Sequence, residues 1–219
     1  YDDNGVENGI RITGCSILNP EPTAVTFPTT IDGLPVFEIG IGAFQGRSSI
    51  TSVTIGNQIR LVDDSAFKEC NGLETVVLDD SVTKVAASAF NDCNSLTEVT
   101  FGQGISTIGK QAFYSCDNLS SVTIHPDAPL TSIGDLAFTQ CSALTSIELP
   151  DGLEEIGVSV FDSTGLTSIV IPDSVTSMGS NVFNNCSSLT SVQLSAGLTQ
   201  IPENAFVNTG LTSVVIPNG

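Results

Sequence analysis

The chain has 219 residues, of which 40% are hydrophobic, and its 24 acidic and 6 basic side chains give a formal net charge of −18. This balance excludes nucleic-acid binding, because phosphate contacts require cations. No apolar run approaches the roughly 20 residues that a membrane helix needs, so we expect a soluble segment that makes no membrane contact. The acidity favours a monomer that stays in solution.

Residues 1–35 differ from the rest of the chain, and we predict that they form an N-terminal cap of β-strands. Residues 9–14 (GIRITG) alternate apolar and polar side chains, as a half-buried strand does. Residues 19–22 are typical of a turn, and residues 24–28 (AVTFP) resemble the strands that follow. Residues 30–36 would then turn the chain into the first repeat.

A phrase centred on phenylalanine repeats throughout residues 36–219. It can be written V-x-x-I-G-x-x-A-F-x-x-C-x-x-L-T-S-V-x-I-P, and successive phenylalanines are separated by 23, 23, 23, 25, 23, 22 and 23 residues. Such a period indicates a solenoid in which each copy forms one coil. We therefore predict eight repeats in one continuous domain, with the C-terminal cap missing. The repeated residue occurs at Phe44, Phe67, Phe90, Phe113, Phe138, Phe161, Phe183 and Phe206.

The second half of each repeat is predicted to be a short strand. In the copy at residues 137–150, Leu144, Ile147 and Leu149 would face the core, while the polar residues between them would face out. Stacked copies would pair in parallel at about 4.8 Å, which gives nine strands when the cap strand near Val25 is included. The part from Ile-Gly to Cys is too short for a stable α-helix, so we expect a 3₁₀-like or irregular turn there.

The phrase AFxxCxxLTSVxIP and the cap resemble the BspA-like leucine-rich repeats, which occur in surface proteins of bacteria and some protozoa. The resemblance covers the chain from Val25 onward. It implies an α/β-class leucine-rich-repeat solenoid, right-handed and horseshoe-like, with short parallel strands on the concave face and 3₁₀ or irregular turns on the convex side. It also implies an extracellular protein displayed on the cell surface, and adhesion to host extracellular-matrix proteins or to other cells. No residue motif accompanies that function.

Two residue columns are better explained by packing than by chemistry. Five cysteines lie three residues after a repeat phenylalanine, and Arg47, Thr164 and Asn208 occupy or approximate this column in the other copies. We predict free, buried thiols rather than disulfides. If disulfides stabilised this column, the repeats without cysteine would lack a cross-link that their neighbours need. The glycine of Ile-Gly is replaced by proline at Pro202, so we predict negative φ at this position, with glycine favoured by close approach of chains. These glycines are Gly40, Gly109, Gly134, Gly157 and Gly179.

The outward residues of the strands form the best candidate binding surface. They are mainly Thr and Ser, which also suit strands intrinsically, so strand propensity alone is an open alternative. The absence of aromatic residues argues against sugar stacking and against a tight interface. We expect a protein partner, with a host extracellular-matrix protein as one candidate; the alternative function is a structural spacer of a longer surface protein. The candidate residues are Val77, Thr100, Thr123, Thr145, Ser146, Glu148, Thr167, Ser168, Val170, Thr190 and Gln193.

Nothing in the sequence predicts an enzyme, a cofactor or a metal site. His125, the only histidine, lies with Asp127 in a two-residue insertion, where we expect a solvated loop. Adjacent carboxylates such as Asp79 and Asp80 lack the ligand spacing of a calcium loop. No nucleophile elbow, phosphate-binding loop or dinucleotide fingerprint is present.

Overall fold

The structure is a computed structural model that describes residues 9–14, 23–56 and 58–217. Within these residues the chain forms sixteen short strands and no helix, and none of them belongs to a helix able to cross a lipid bilayer. The strands are β1 (Ile10–Ile12), β2 (Ala24–Thr26), β3 (Thr30–Ile31), β4 (Leu34–Ile39), β5 (Ser52–Ile55), β6 (Leu61–Val62), β7 (Thr75–Leu78), β8 (Lys84–Val85), β9 (Glu98–Phe101), β10 (Thr107–Ile108), β11 (Ser121–Ile124), β12 (Ser132–Ile133), β13 (Glu155–Ile156), β14 (Ser168–Val170), β15 (Ser177–Met178) and β16 (Ser191–Gln193).

The predicted cap strands are present where the structure describes them. β1 coincides with the alternating stretch at residues 9–14 and pairs in parallel with β4, and β2 pairs with β5. β3 and β4 form an antiparallel hairpin whose turn has positive φ at Asp32 and Gly33. The turn predicted at residues 19–22 lies outside the described residues.

Two parallel ladders run along the stack. The long-strand ladder contains β2, β5, β7, β9 and β11 in that order, and it comes from the predicted strand part of the repeat. Its register is unshifted from coil to coil, as in the pairing of Val53 with Val76 and of Val76 with Val99. These valines are buried, whereas Thr54 between Val53 and Ile55 faces outward. The alternation predicted for the strands is therefore confirmed.

The long-strand ladder is interrupted, so the prediction of nine continuous strands is wrong. Residues 145–149 form no strand, and β14 and β16 make a separate parallel pair beyond them. Residues 213–216 of the last repeat also form no strand.

The second ladder was not predicted from the sequence. It is formed by the end of β4 and by six two-residue strands, each of which ends at the residue before the glycine position of Ile-Gly. These strands pair in the order β4, β6, β8, β10, β12, β13 and β15. Unlike the long-strand ladder, this short-strand ladder is continuous through the fifth coil, where β12 pairs with β13 and β13 with β15.

Each phenylalanine lies in a turn with left-handed residues on both sides. Ser65 and Glu69, two residues before and after Phe67, have φ of 57° and 61°. The N–H groups of Ser65, Phe67 and Glu69 donate to carbonyls of the following coil at 2.9, 2.7 and 2.8 Å. Gly42 and Gly46 hold the two left-handed positions of the first coil. Left-handed residues interrupt a 3₁₀ run, so of the two expected forms the 3₁₀ turn is not found and the turn is irregular. The predicted α/β class is wrong, because the described residues contain no helix and form an all-β solenoid of about eight coils.

The core is a continuous column of side chains. Seven neighbouring pairs of repeat phenylalanines, from Phe44 to Phe206, stack with ring planes within 6° and centroids 5.0 to 5.9 Å apart. Offset stacking of this kind stabilises aromatic pairs beyond the area that they bury.

The prediction for the Ile-Gly glycines is confirmed. None of the five has positive φ. A Cβ placed on Gly134 would lie 2.6 Å from the backbone nitrogen of Lys110 and 2.8 Å from the carbonyl carbon of Gly109. Close approach of successive coils is therefore the reason for glycine at this position.

Candidate binding face

Nine of the eleven candidate residues lie in the long strands or in residues 145–149, and Thr167 and Thr190 lie one residue before β14 and β16. We call the surface of these eleven residues the binding face. Val77, Thr100 and Thr123 are aligned by the register of β7, β9 and β11, and Val170 is aligned with Gln193 by the register of β14 and β16. Apart from Thr100, which is half-buried, all eleven are exposed.

Many hydroxyl groups at the edge of the binding face serve the fold. Thr190 Oγ1 donates to the Thr167 carbonyl at 3.3 Å, and Thr167 Oγ1 donates to the Thr145 carbonyl at 3.4 Å. Thr97 and Ser120 make the same bond to the preceding coil. These residues are therefore favoured at the start of each strand for a structural reason, as the strand-propensity alternative expects.

Residues 145–149 depart from this pattern, and we call them the unpaired segment. At the equivalent place in the fourth coil, the N–H of Ser120 donates to the Thr97 carbonyl at 3.0 Å. Neither the N–H nor the hydroxyl of Thr145 makes this bond to Ser120. The one backbone hydrogen bond of the segment is accepted by the Thr145 carbonyl from the N–H of Thr167, at 3.1 Å.

The local sequence accounts for one of the missing hydrogen bonds. In earlier coils the residue after the long strand donates its N–H to the preceding coil, as Gly102 does to Leu78 at 2.7 Å. The fifth coil has Pro150 at this place, and proline has no N–H to donate. The two-residue insertion around His125 also lies between β11 and the unpaired segment. The 25-residue step and the proline were visible in the sequence, but neither was connected with a break in the sheet.

An open depression lies on each side of the unpaired segment. The first, of about 340 Å³, is bounded by residues 120–124 and 146–148. The second, of about 440 Å³, is bounded by residues 146–149, by Asp151, and by β14 and Pro172. Ser146, Ile147 and Glu148 line both depressions.

The cysteine column lies in the core, away from the binding face. Cys70, Cys93, Cys116, Cys141 and Cys186 are buried free thiols, as predicted. The sulfurs of Cys93 and Cys116 each donate to the carbonyl of the phenylalanine in the preceding coil, at 3.2 Å. Burial raises the pKa of these two thiols well above the usual range, which removes the thiolate that a nucleophile or metal ligand requires. Cys15 lies outside the described residues.

One assignment in this column was wrong. Asn208 is not its member in the last coil, because its Nδ2 bonds to Asn185 at 2.9 Å and its φ of 57° places it at a left-handed position. Thr209 takes the place instead and donates its hydroxyl to the Phe206 carbonyl at 3.0 Å. Thr164 makes the same bond to the Phe161 carbonyl at 2.9 Å. A hydroxyl thus replaces the thiol in both coils with the shortened turn.

The remaining polar candidates are engaged with the backbone. Asp80 Oδ1 accepts the N–H of Gln103 at 2.7 Å, and Asp64 Oδ1 accepts the N–H of Ala87 at 2.9 Å. His125 Nδ1 accepts the N–H of Asp127 at 3.2 Å within the inserted loop. No group of three or more His, Cys, Asp and Glu side chains in the described ranges is arranged to hold a metal ion.

A family model described as the BspA type leucine-rich repeat region matches residues 23–129 and 125–219. The chain belongs to the BspA-type leucine-rich repeat family. The resemblance seen in the sequence is therefore confirmed.

Solved structures share the architecture of this BspA-type chain. A leucine-rich repeat protein of T. pallidum superposes with a TM-score of 0.64 at 27% identity, covering 85% of this chain and 76% of that protein. A leucine-rich repeat protein of Bacteroides ovatus has a TM-score of 0.52 at 23% identity, covering 96% of this chain and 79% of that one, and that likeness concerns the fold alone. Comparison with curated proteins finds no match.

Proposed function

We propose that this BspA-type chain is the protein-binding module of an adhesin-type cell-surface protein, and that its binding face recognises a host or neighbouring-cell protein. The observation that carries the proposal is the face itself, which combines exposed hydroxyl groups with the exposed apolar side chains of Val77 (41%) and Val170 (56%). Outward valines on a soluble sheet favour contact with another protein surface. With no aromatic anchor on the face, we expect modest affinity.

Export to the cell surface is part of the proposal, and membership of the BspA-type family supports it. We also propose that the chain is not an enzyme. Support comes from thiols whose pKa is raised by burial and from hydroxyls that donate to the backbone instead of to a base.

The experiment is capture from a panel of immobilised extracellular-matrix and serum proteins. Wild type is compared with Thr145→Arg/Ser168→Arg, which places two long side chains in the middle of the binding face. The matched control is Thr131→Arg/Ser177→Arg, which adds the same charge beside or on the short-strand ladder, at two exposed positions. We expect the first variant to lose capture and the control to retain it. Equal capture by all three proteins would exclude the binding face.

A structural spacer is the second candidate function. The uninterrupted phenylalanine column and the continuous short-strand ladder favour it, because they make a stiff rod without any need for a partner. A chain that captures nothing from the panel, with a face that tolerates the double arginine substitution, would support the spacer.

A further inference from the structure

The unpaired segment differs from the paired strands of the binding face. In the paired strands β5, β7, β9 and β11, backbone groups are bonded to the neighbouring coil on at least one side along the whole strand. Residues 146–149 make no backbone hydrogen bond to either neighbouring coil. Exposed strand groups without partners are a template for another polypeptide. The open depressions on both sides give that polypeptide access to them.

The charge around the segment selects the partner. Glu148 lines both depressions and Asp151 lines the second, while no lysine, arginine or histidine lines either one. All six lysines and arginines lie at or before Lys110, and ten carboxylates follow it. A cationic side chain that enters a depression meets free backbone carbonyl groups together with a carboxylate. Arginine suits this environment because its guanidinium has five N–H donors and no acceptor.

We propose that the unpaired segment receives a cationic, arginine-bearing segment of the partner protein, whose side chains enter the two depressions and contact Glu148 and Asp151. This inference rests on the proposed function and names the chemistry of the partner. An anionic partner would meet the same unpaired backbone but would be repelled by the surrounding carboxylates.

The first test uses a short fluorescent peptide that alternates arginine and threonine, and its binding is measured by anisotropy at low salt. Two further peptides carry glutamate or glutamine in place of arginine. We expect binding of the arginine peptide only. Binding of the glutamine peptide with equal affinity would show that charge does not select the partner, and failure of the arginine peptide to bind would overturn the proposal.

The second test locates the binding. Glu148→Gln/Asp151→Asn removes the two exposed carboxylates at the depressions, and we expect about a tenfold loss of affinity, because two charge pairs with the peptide are lost together. The control Glu154→Gln/Glu155→Gln removes two exposed carboxylates at the short-strand ladder of the following coil and leaves an equal net charge. Equal weakening by both variants would mean non-specific attraction and would overturn the proposal.

The two proposals fail in different ways. Suppose that Thr145→Arg/Ser168→Arg abolishes capture from the protein panel but Glu148→Gln/Asp151→Asn does not. The binding face is then supported, and the proposal of a cationic partner segment is wrong. If the arginine peptide binds at the unpaired segment but the panel yields no capture, the site stands and the adhesin role is wrong. Amide exchange of residues 146–148, measured with and without the peptide, reports the site directly; unchanged exchange on binding would contradict the proposal.

Discussion

At the scale of single residues, the Ile-Gly glycines show how close packing constrains the repeat. Gly134→Ala keeps an allowed φ but places a methyl group 2.6 Å from a backbone nitrogen of the preceding coil. Because backbone cannot rotate away as a side chain can, we expect the free energy of unfolding to fall by about 3 kcal/mol. Urea denaturation measures this. Gly152→Ala is the matched control, since its Cβ would meet no atom within 4 Å; equal effects of the two substitutions would refute the explanation.

A second prediction concerns the reactivity of the buried thiols. In a Cys15→Ala background, the five described cysteines should not react with a thiol reagent in the native protein and should all react after unfolding. A reducing agent should leave the unfolding midpoint unchanged, because the column contains no disulfide. Cys116 has no exposed surface, so its reaction with the reagent in the folded protein would contradict the burial of the cysteine column.

The buried carboxyl of Glu38 should make the stability of the fold depend on pH. Its burial, with a hydrogen bond to Asp63, raises the pKa of the carboxyl above its ordinary value of 4.5, although Arg11 opposes the shift. The folded state therefore holds the proton more tightly than the unfolded state, and this contribution to stability is lost as the pH rises from 4.5 through the folded-state pKa. Relative to Glu38→Gln, the wild type should lose stability over that interval. Parallel curves would contradict the prediction, and Glu155→Gln controls for the loss of one exposed carboxylate.

At the scale of the repeat, the left-handed positions beside each phenylalanine are the element that sequence analysis misread. Asn181 and Asn204 tolerate this conformation, but the fifth coil has Leu136 there with φ of 60°. A leucine in the left-handed region costs roughly 1–2 kcal/mol. Leu136→Asn should therefore raise the free energy of unfolding by about 1 kcal/mol. Leu136→Ala is the control, because it removes the side chain but keeps the left-handed strain, and it should not stabilise.

The repeat itself was predictable because its core positions are spaced by a fixed period. The phenylalanine column, the buried thiols and the outward alternation all follow from that period and are seen in the structure. The short-strand ladder was not predictable from the same pattern, since two residues are too few to show an alternation of period two. The break at residues 145–149 was not predictable either, because the missing N–H of Pro150 acts only through a hydrogen bond to another coil, and Pro172 holds the same place beside the paired strand β14.

At the scale of the whole molecule, charge opposes the compact stack. The net charge of −18 is distributed unevenly, because the residues after Lys110 include no lysine or arginine. Repulsion among exposed carboxylates destabilises the folded state, and salt screens it over a Debye length of about 10 Å at 0.1 M. We expect the urea midpoint to rise with sodium chloride, and to rise less in Glu154→Gln/Glu155→Gln. A midpoint that is independent of salt would show that this repulsion is negligible.

The hydrogen bonds of the phenylalanine turns give the stack a direction. Ser65, Phe67 and Glu69 donate to the coil that follows them, so each turn is completed only by its successor. During synthesis, the three N–H groups of each turn therefore have no carbonyl acceptor until about one further repeat has been made. At roughly 5–20 residues per second this takes a few seconds. Within the phenylalanine turns, shortening the chain is correspondingly asymmetric: removal of coils from the C-terminal end uncovers N–H donors of these turns, whereas removal from the N-terminal end uncovers their carbonyl acceptors, which proteins leave unsatisfied more readily. N–H groups beside the strands, such as that of Gly102, donate to the preceding coil instead.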